Sequence, residues 1–334
     1  SLVGSEMCIR DSTISVEWKV SLANKKAAVD RSKNSPTNFP PAVAPELPFA
    51  LLPNYEELII KGGEKTISGK NSSGVFFDSG KYKETTVFLG ELKTDINGCL
   101  IVLGGRGISK SPSNHPLAPD PNTGFYFSEG WYDDTSDGYV LAEISLSDGT
   151  KIKTTPSWVI VGPPDFAPGV RSFVSLYDII EDLFSPLPTT TSFTKHIEPL
   201  ISKFLNYKWV QKKDFSIPFP INEISNPSPS FRLKRIKVNA VINSRISELR
   251  EFTITSILKK HLENWVNGSF VSDSNSPKSD LLTGESLTKI SLETTVGQGF
   301  FPGIEGGIIF QNKNIFMEPF RINKASVEAG DITA

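Results

Sequence analysis

The densest run of side chains able to do chemistry is Gly130-Trp-Tyr-Asp-Asp-Thr-Ser-Asp-Gly138, which sets Asp133, Asp134 and Asp137 close together. Carboxylates so grouped can bind a hard cation such as calcium. The EF-hand spacing and its closing Glu are missing. The preferred reading is therefore an Asp/Ser-rich turn whose side chains bond their own backbone. Gly104-Gly-Arg-Gly107 follows the strand-like Leu100–Leu103. A glycine turn after a strand can cradle phosphate on its N–H groups. Here no GxGxxG, no GK[ST] and no following helical pattern accompanies it, so a structural turn is preferred.

His115, His196 and His261 lie far apart, and none belongs to an HxxxH or HExxH pattern. The residues alone assign no metal site, although distant histidines can still converge in a fold. His261 lies on the edge of an apolar helical stripe and reads as a satisfied core histidine. The cysteines are Cys8 and Cys99, with no CxxC and no Cys/His cluster. No Ser/His/Asp or Cys/His arrangement is readable. No catalytic and no cofactor-binding residue is assigned on these grounds.

The background matches that restraint. Of 334 residues, 38% are hydrophobic and 22% charged, which fits a globular chain with a real core. Lys+Arg is 35 against Asp+Glu 37, a formal charge of -2. That balance supplies no field for nucleic acid or an anionic membrane surface, so neither is expected as a partner. No apolar run approaches the roughly 20 residues of a spanning helix.

Which elements would position such residues? Leu2–Ser12 back-translates, from Met7 onward, into the mosaic end of a transposon used to prepare sequencing libraries. Residues 1–12 are read as a translated adapter and set aside. That removes Cys8 from the chemistry. It also leaves the compartment open between cytoplasmic and exported. Ile14, Val16, Trp18 and Val20 alternate as in a half-buried strand. A Pro/Asn/Ser stretch, 32–54, must be an extended loop.

From Glu57 to Val161 the signals are mostly β. One hairpin joins Glu84–Thr94 to Cys99–Leu103 through Asn97-Gly98, and another joins Tyr139–Leu146 to Lys151–Val161 through Asp148-Gly149. Helical spacing links Phe173, Leu176, Tyr177, Ile180 and Phe184. It also links Ile197, Leu200, Ile201, Phe204 and Leu205, with Thr194 as expected N-cap. The Pro218–Pro229 loop is the expected domain boundary. Ile236, Val238, Ala240 and Ile242 alternate like a strand. Ile254, Ile257, Leu258, Leu262 and Trp265 form a helical stripe ending at Asn267-Gly268. A Gly-rich turn, 297–307, and short strands near Ile308 and Ile315 close the chain. The expected class is α+β, a β-rich N-terminal sheet module followed by a mixed helical and strand region.

Several stretches together resemble one family. They are Val16–Ala27, Leu89–Asp95, Val102–Gly107, Gly130–Gly138, Val161–Pro168, Phe300–Glu305 and Gly330-Asp-Ile-Thr333. In order and spacing they are similar to bacterial amino-acid oxidases that carry cysteine tryptophylquinone, typified by lysine ε-oxidase and glycine oxidase. The resemblance is weak between Thr189 and Leu282. It implies that 13–217 is the family's N-terminal domain and that 230–334 is the start of its catalytic domain.

It implies more about function. The quinone is a Trp side chain, oxygenated and cross-linked to a Cys sulfur. Its carbonyl condenses with a primary amine and a carboxylate takes a proton from the adjacent carbon. Dioxygen reoxidises the cofactor, yielding ammonia and hydrogen peroxide. The family's partners follow: an amino-acid substrate, dioxygen, a flavoprotein for maturation and a homo-oligomeric assembly. Members are roughly twice this long, and their quinone-forming residues follow the Gly-Asp-Ile/Val-Thr stretch. The chain is thus expected to be a fragment lacking both ends, with cofactor precursors absent and no activity by itself. A pairing of Cys99 with Trp131 or Trp158 is not the family's cross-link. The resemblance places a pocket aromatic near Phe166 or Tyr177, each of which reads first as a core residue. The alternative is a non-catalytic β-rich binding module without cofactor.

Overall fold

The computed structural model describes residues 13–30, 47–114, 130–162, 167–247, 254–273, 283–297 and 309–334. The chain divides into two compact units. Unit 1 holds Ser1–Thr37, Val43–Pro164 and Ile304–Ala334; unit 2 holds Asn38–Ala42 and Asp165–Gly303. The architecture is α+β, with the sheets concentrated in the N-terminal part and the helices following.

Unit 1 is built on β1 (Thr13–Asn24), which lies between β2 (Ile60–Ser68) and the later β10, pairing antiparallel with both. Its alternation is the cause: Val16, Trp18, Val20 and Leu22 all turn into the core. Strands β3 (Val75–Phe77), β6 (Gly90–Thr94) and β7 (Leu100–Leu103) form a second sheet, with β4 (Lys81–Tyr82) and β5 (Thr85–Thr86) as a separate small hairpin. Phe77, Leu89 and Leu92 from this region share one apolar cluster with β1 and β2. The Trp18 indole donates to the Gly98 carbonyl at 3.0 Å, tying β1 to the β6–β7 turn.

The Asn97-Gly98 hairpin is borne out, with Gly98 at φ 82 and Asp95 Oδ1 accepting from the Asn97 and Cys99 amides. The expected long strand Glu84–Thr94 is in fact β5 and β6, separated by Val87, Phe88 and Leu89. Gly90 sits at φ 153, and a Cβ there would lie 2.4 Å from the Leu103 carbonyl oxygen. Strands β8 (Ser109–Lys110) and β9 (Tyr132–Asp133) pair, and β10 (Ser136–Leu146) follows. The second hairpin is also found, with one change. Lys151–Val161 breaks into β11 (Lys151–Lys153) and β12 (Ser157–Val161), both paired to β10. Pro156 has no N–H to donate and interrupts the ladder. The tail adds β13 (Phe316–Glu318) and β14 (Arg321–Ile322) to unit 1.

Unit 2 opens with α1 (Leu176–Phe184), capped by Ser175 and Asp178 in a reciprocal capping box. A π-helical turn, Phe193–Ile197, leads into α2 (Glu198–Asn206). The cap is Ser192 rather than Thr194: the Ser192 hydroxyl accepts from the Lys195 amide. The Thr194 amide instead donates to Asp273. A single turn, α3 (Ile221–Ile224), precedes α4 (Arg232–Ser247).

The strand expected over Ile236–Ile242 is helix α4. Its buried residues are Arg235, Val238, Ile242 and Ile246, at helical spacing; of the apparent alternation, Ile236 is half-buried and Ala240 exposed. Then come α5 (Ser256–Asn267), stopped by left-handed Gly268 as expected, and α6 (Gly284–Thr294). Phe204, Tyr207 and Phe215 pack ring on ring, and the Tyr207 hydroxyl accepts from the Phe173 amide. The Pro218–Pro229 loop lies inside unit 2. Fully buried Arg235 donates to the carbonyls of Asn226, Pro227 and Ser228, and the Trp265 indole donates to that of Ile224. The Gly-rich turn 297–307 falls almost entirely outside the described residues.

Candidate functional site

Unit 1 gathers four of the stretches singled out in the sequence into one polar junction. At the end of β1, the Asn24 amide donates to Asp133 Oδ1 at 2.8 Å and to the Thr135 carbonyl at 2.8 Å. Thr135 Oγ1 donates to the same Asp133 oxygen at 2.7 Å. Lys26 Nζ reaches Asp133 Oδ2 at 2.9 Å. Burial works against the Asp133 charge, but the Lys26 ammonium and the Thr135 and Asn24 hydrogen bonds outweigh it and hold its pKa below the usual range. Asp134 turns the other way, where its Oδ2 accepts from the Arg106 amide at 2.6 Å. A Cβ on Gly105 would lie 2.5 Å from the Asp134 carboxyl carbon, so glycine permits that approach. The glycine turn therefore serves a protein carboxylate, and the Arg106 guanidinium rests over the Phe88 ring at 4.3 Å.

Asp137 is the deepest member, with no exposed surface. It accepts from the Trp158 indole, from the Gly330 and Thr333 amides and from the Thr333 hydroxyl. Burial pushes it up to about 6, against the pull of those donors. Lys25 bridges Glu328 at 2.7 Å and Asp331 at 2.8 Å. Its burial is offset by those two carboxylates, and its pKa is raised.

The chemistry this allows is narrow. Asp133 and Asp137 spend both carboxylate oxygens on protein donors, and Asp134 spends one. All three carboxylates are thus engaged first by protein donors, Asp133 and Asp137 through both oxygens. The junction fixes chain segments to one another. Among the described residues no group of three or more His, Cys, Asp or Glu is placed to hold a metal ion. No helix among them is long and apolar enough to cross a membrane.

Two histidines do converge in unit 2. The His196 and His261 rings stack at 4.0 Å, 16° apart. His261 Nδ1 meets Thr191 Oγ1 at 3.0 Å, and His196 Nδ1 accepts from the Ser192 amide at 2.9 Å. Burial and the His196 charge push His261 down to about 4. Burial, Lys289 and Lys195 lower His196, opposed by Asp273. His261 is thus the satisfied core histidine the sequence indicates. The Ser192 hydroxyl donates to Asp273 Oδ2 at 2.5 Å rather than to a histidine, so these residues do not form a nucleophile–base pair.

Of the two aromatics that the resemblance suggests for a pocket, Phe166 lies outside the described residues. Tyr177 is half-buried on α1. Its hydroxyl meets Glu181 Oε1 at 3.4 Å, and the Lys289 ammonium rests over its ring at 4.5 Å. Burial and the Glu181 charge raise its pKa. Sequence reasoning missed Asn24, Lys25, Lys26, Asp331 and Thr333 as junction members. Only the shared resemblance of their stretches marked them.

Comparison with known proteins gives a consistent result. The family described as L-lysine epsilon oxidase N-terminal matches residues 3–161, and the L-lysine epsilon oxidase C-terminal domain matches 238–333. A curated relative, L-lysine 6-oxidase of Marinomonas mediterranea, is 27% identical, over 66% of this chain and 36% of the relative. The crystal structure of the Schiff base intermediate of L-Lys epsilon-oxidase from the same organism superposes with a TM-score of 0.71 at 20% identity, covering 99% of this chain and 63% of that one. The structure of the epsilon-lysine oxidase gives 0.73 at 21%, covering 97% and 62%. The chain thus spans about a third of the curated relative's length and less than two thirds of those solved chains.

Proposed function

The chain belongs to the L-lysine ε-oxidase family, and from that premise we propose that it supplies scaffold to a quinoprotein amino-acid oxidase. The net reaction is oxidative deamination of a primary amine such as the lysine ε-amine. Amine, dioxygen and water become aldehyde or oxo acid, ammonia and hydrogen peroxide. The observation that carries the reading is the junction in unit 1. Val16–Ala27, Val102–Gly107, Gly130–Gly138 and Gly330–Thr333, remote in sequence, close on one another through the hydrogen bonds above.

A cysteine tryptophylquinone needs a cysteine sulfur joined to an indole. Among the described residues the cysteine is Cys99, which is in no disulfide. Its thiol hydrogen-bonds Asp95 within the β6–β7 turn. The Trp158 indole N–H is committed to Asp137. Both side chains are thus held by contacts of the sheet itself, and no catalytic step is derived through the group. In this reading the quinone-forming Cys and Trp belong to another part of the parent protein, the 334 residues alone do not turn over, and a flavoprotein serves maturation. Residues 13–217 carry the N-terminal part of the oxidase and 230–334 open its catalytic part. Phe166 and Tyr177 are its pocket aromatics; for Tyr177 the support is a ring face on which an ammonium group already rests.

The test is amine-dependent peroxide release. Protein from the whole gene is expected to give peroxide and ammonia in equal amounts from L-lysine, glycine or another primary-amine amino acid. The 334-residue chain is expected to give none. Silence of the whole-gene protein with every such amino acid would refute the reading.

A further inference from the structure

Asp137 is the second residue of β10 and is paired on both sides, opposite Ala23 of β1 and Ile160 of β12. An aspartate there is anomalous. A buried carboxylate without donors is among the costliest groups a fold can hold. Its Oδ1 accepts from Trp158 Nε1 and from the Gly330 amide, both at 3.0 Å. Its Oδ2 accepts from the Thr333 amide and the Thr333 hydroxyl, both at 2.8 Å. Three of those four donors come from one short segment near residue 330, nearly two hundred positions along the chain.

The dependence runs both ways. The Gly330 and Thr333 amides belong to no strand pairing, so the carboxylate is their hydrogen-bond partner. Close packing enforces one seating. A Cβ on Gly138 would lie 1.8 Å from the Ser21 carbonyl oxygen and 3.2 Å from the Ala329 Cβ. A Cβ on Gly330 would lie 2.9 Å from Lys25 Cγ, and Gly330 is at φ 90. Lys25 holds the other edge through Glu328 and Asp331, and the Glu328 amide donates to Asp331 Oδ2 at 2.9 Å.

We propose that residues 328–333 form a strap locked to the sheet of unit 1, with Asp137 as the positioning residue that selects its register and so fixes the direction of the chain at Thr333. A slip of one residue would leave the carboxylate and two amides unpaired at once. The lock rests on the geometry of unit 1 alone, and failure of the oxidase reading would not touch it.

Amide hydrogen exchange on the 334-residue chain tests it. In wild type the Gly330 and Thr333 amides are expected to exchange slowly although they lie in no strand. In Asp137→Asn, whose amide nitrogen cannot accept, their exchange is expected to quicken by about tenfold or more, while β1–β2 amides keep their rates. Thr333→Val is expected to quicken the strap and Thr333→Ser to restore wild-type rates, because serine keeps the hydroxyl donor. Lys25→Met is expected to loosen 328–331 and spare Thr333. Unprotected Gly330 and Thr333 amides in wild type would overturn the proposal, whatever the variants do. So would uniform quickening over the whole sheet in Asp137→Asn, or Thr333→Ser behaving like Thr333→Val.

Discussion

His261 shows how a single side chain writes itself into the pH dependence of stability. Its folded pKa is about 4 against 6.5 for the free group, because burial and the stacked His196 ring disfavour the cation. The folded-state value is depressed, so the stabilising contribution is present above 6.5 and is lost as pH falls through 4. Asp137 runs the other way. Its value is raised from 3.8 to about 6, so its contribution is present below 3.8 and lost as pH rises through 6. The two overlap and partly mask one another, which makes a variant comparison the clean measurement. The advantage of wild type over His261→Gln is expected to shrink by about 2 kcal/mol between about pH 7 and about pH 4.5, read from urea denaturation. An advantage that stays constant would mean that His261 does not titrate as the stacked geometry requires. Sequence gave no warning of this pair beyond the general fact that remote histidines can meet. Their contact depends on how α5 and the π-helical turn pack.

At the scale of elements, legibility followed pattern length. The alternation of Val16, Trp18 and Val20 and the Asn97-Gly98 turn predicted β1 and the β6–β7 hairpin because strand period and positive φ are local properties. The stripe ending at Gly268 predicted α5 for the same reason. Helix α4 was missed because Ile236, Val238, Ala240 and Ile242 mimic period two, while a buried arginine, Arg235, hid one position of the true apolar face. The cap at Ser192 was missed because a π-helical turn shifts the start of the helix by two residues.

Gly268 offers a test at this scale. It sits at φ 80, and a Cβ would fall 2.7 Å from the Pro227 carbonyl oxygen. Gly268→Ala is expected to cost about 2 kcal/mol with an unchanged denaturant slope. A neutral effect would mean that α5 does not end in the left-handed cap against this loop.

At the scale of the molecule, composition and charge bounded the class, but the junction of unit 1 was beyond them. Asp137 and Thr333 are 196 positions apart, and nothing local in either stretch names the other. Only the ordered resemblance of several stretches brought them under one hypothesis, which the match to both oxidase domains supports. The near balance of 35 basic and 37 acidic residues adds a simple expectation: no retention on a polyanion column at physiological ionic strength. Firm retention would reveal a basic patch at odds with that balance.

The central claim is that these residues are oxidase scaffold and that the cofactor is built from other residues of the parent. Peptide mapping of the whole-gene protein by mass spectrometry tests it most directly. The account predicts one peptide pair in which a cysteine other than Cys99 is covalently joined to an oxygenated tryptophan, with Cys99, Trp131 and Trp158 unmodified. A mature protein with no Cys–Trp link, or with the link at Cys99, would contradict it.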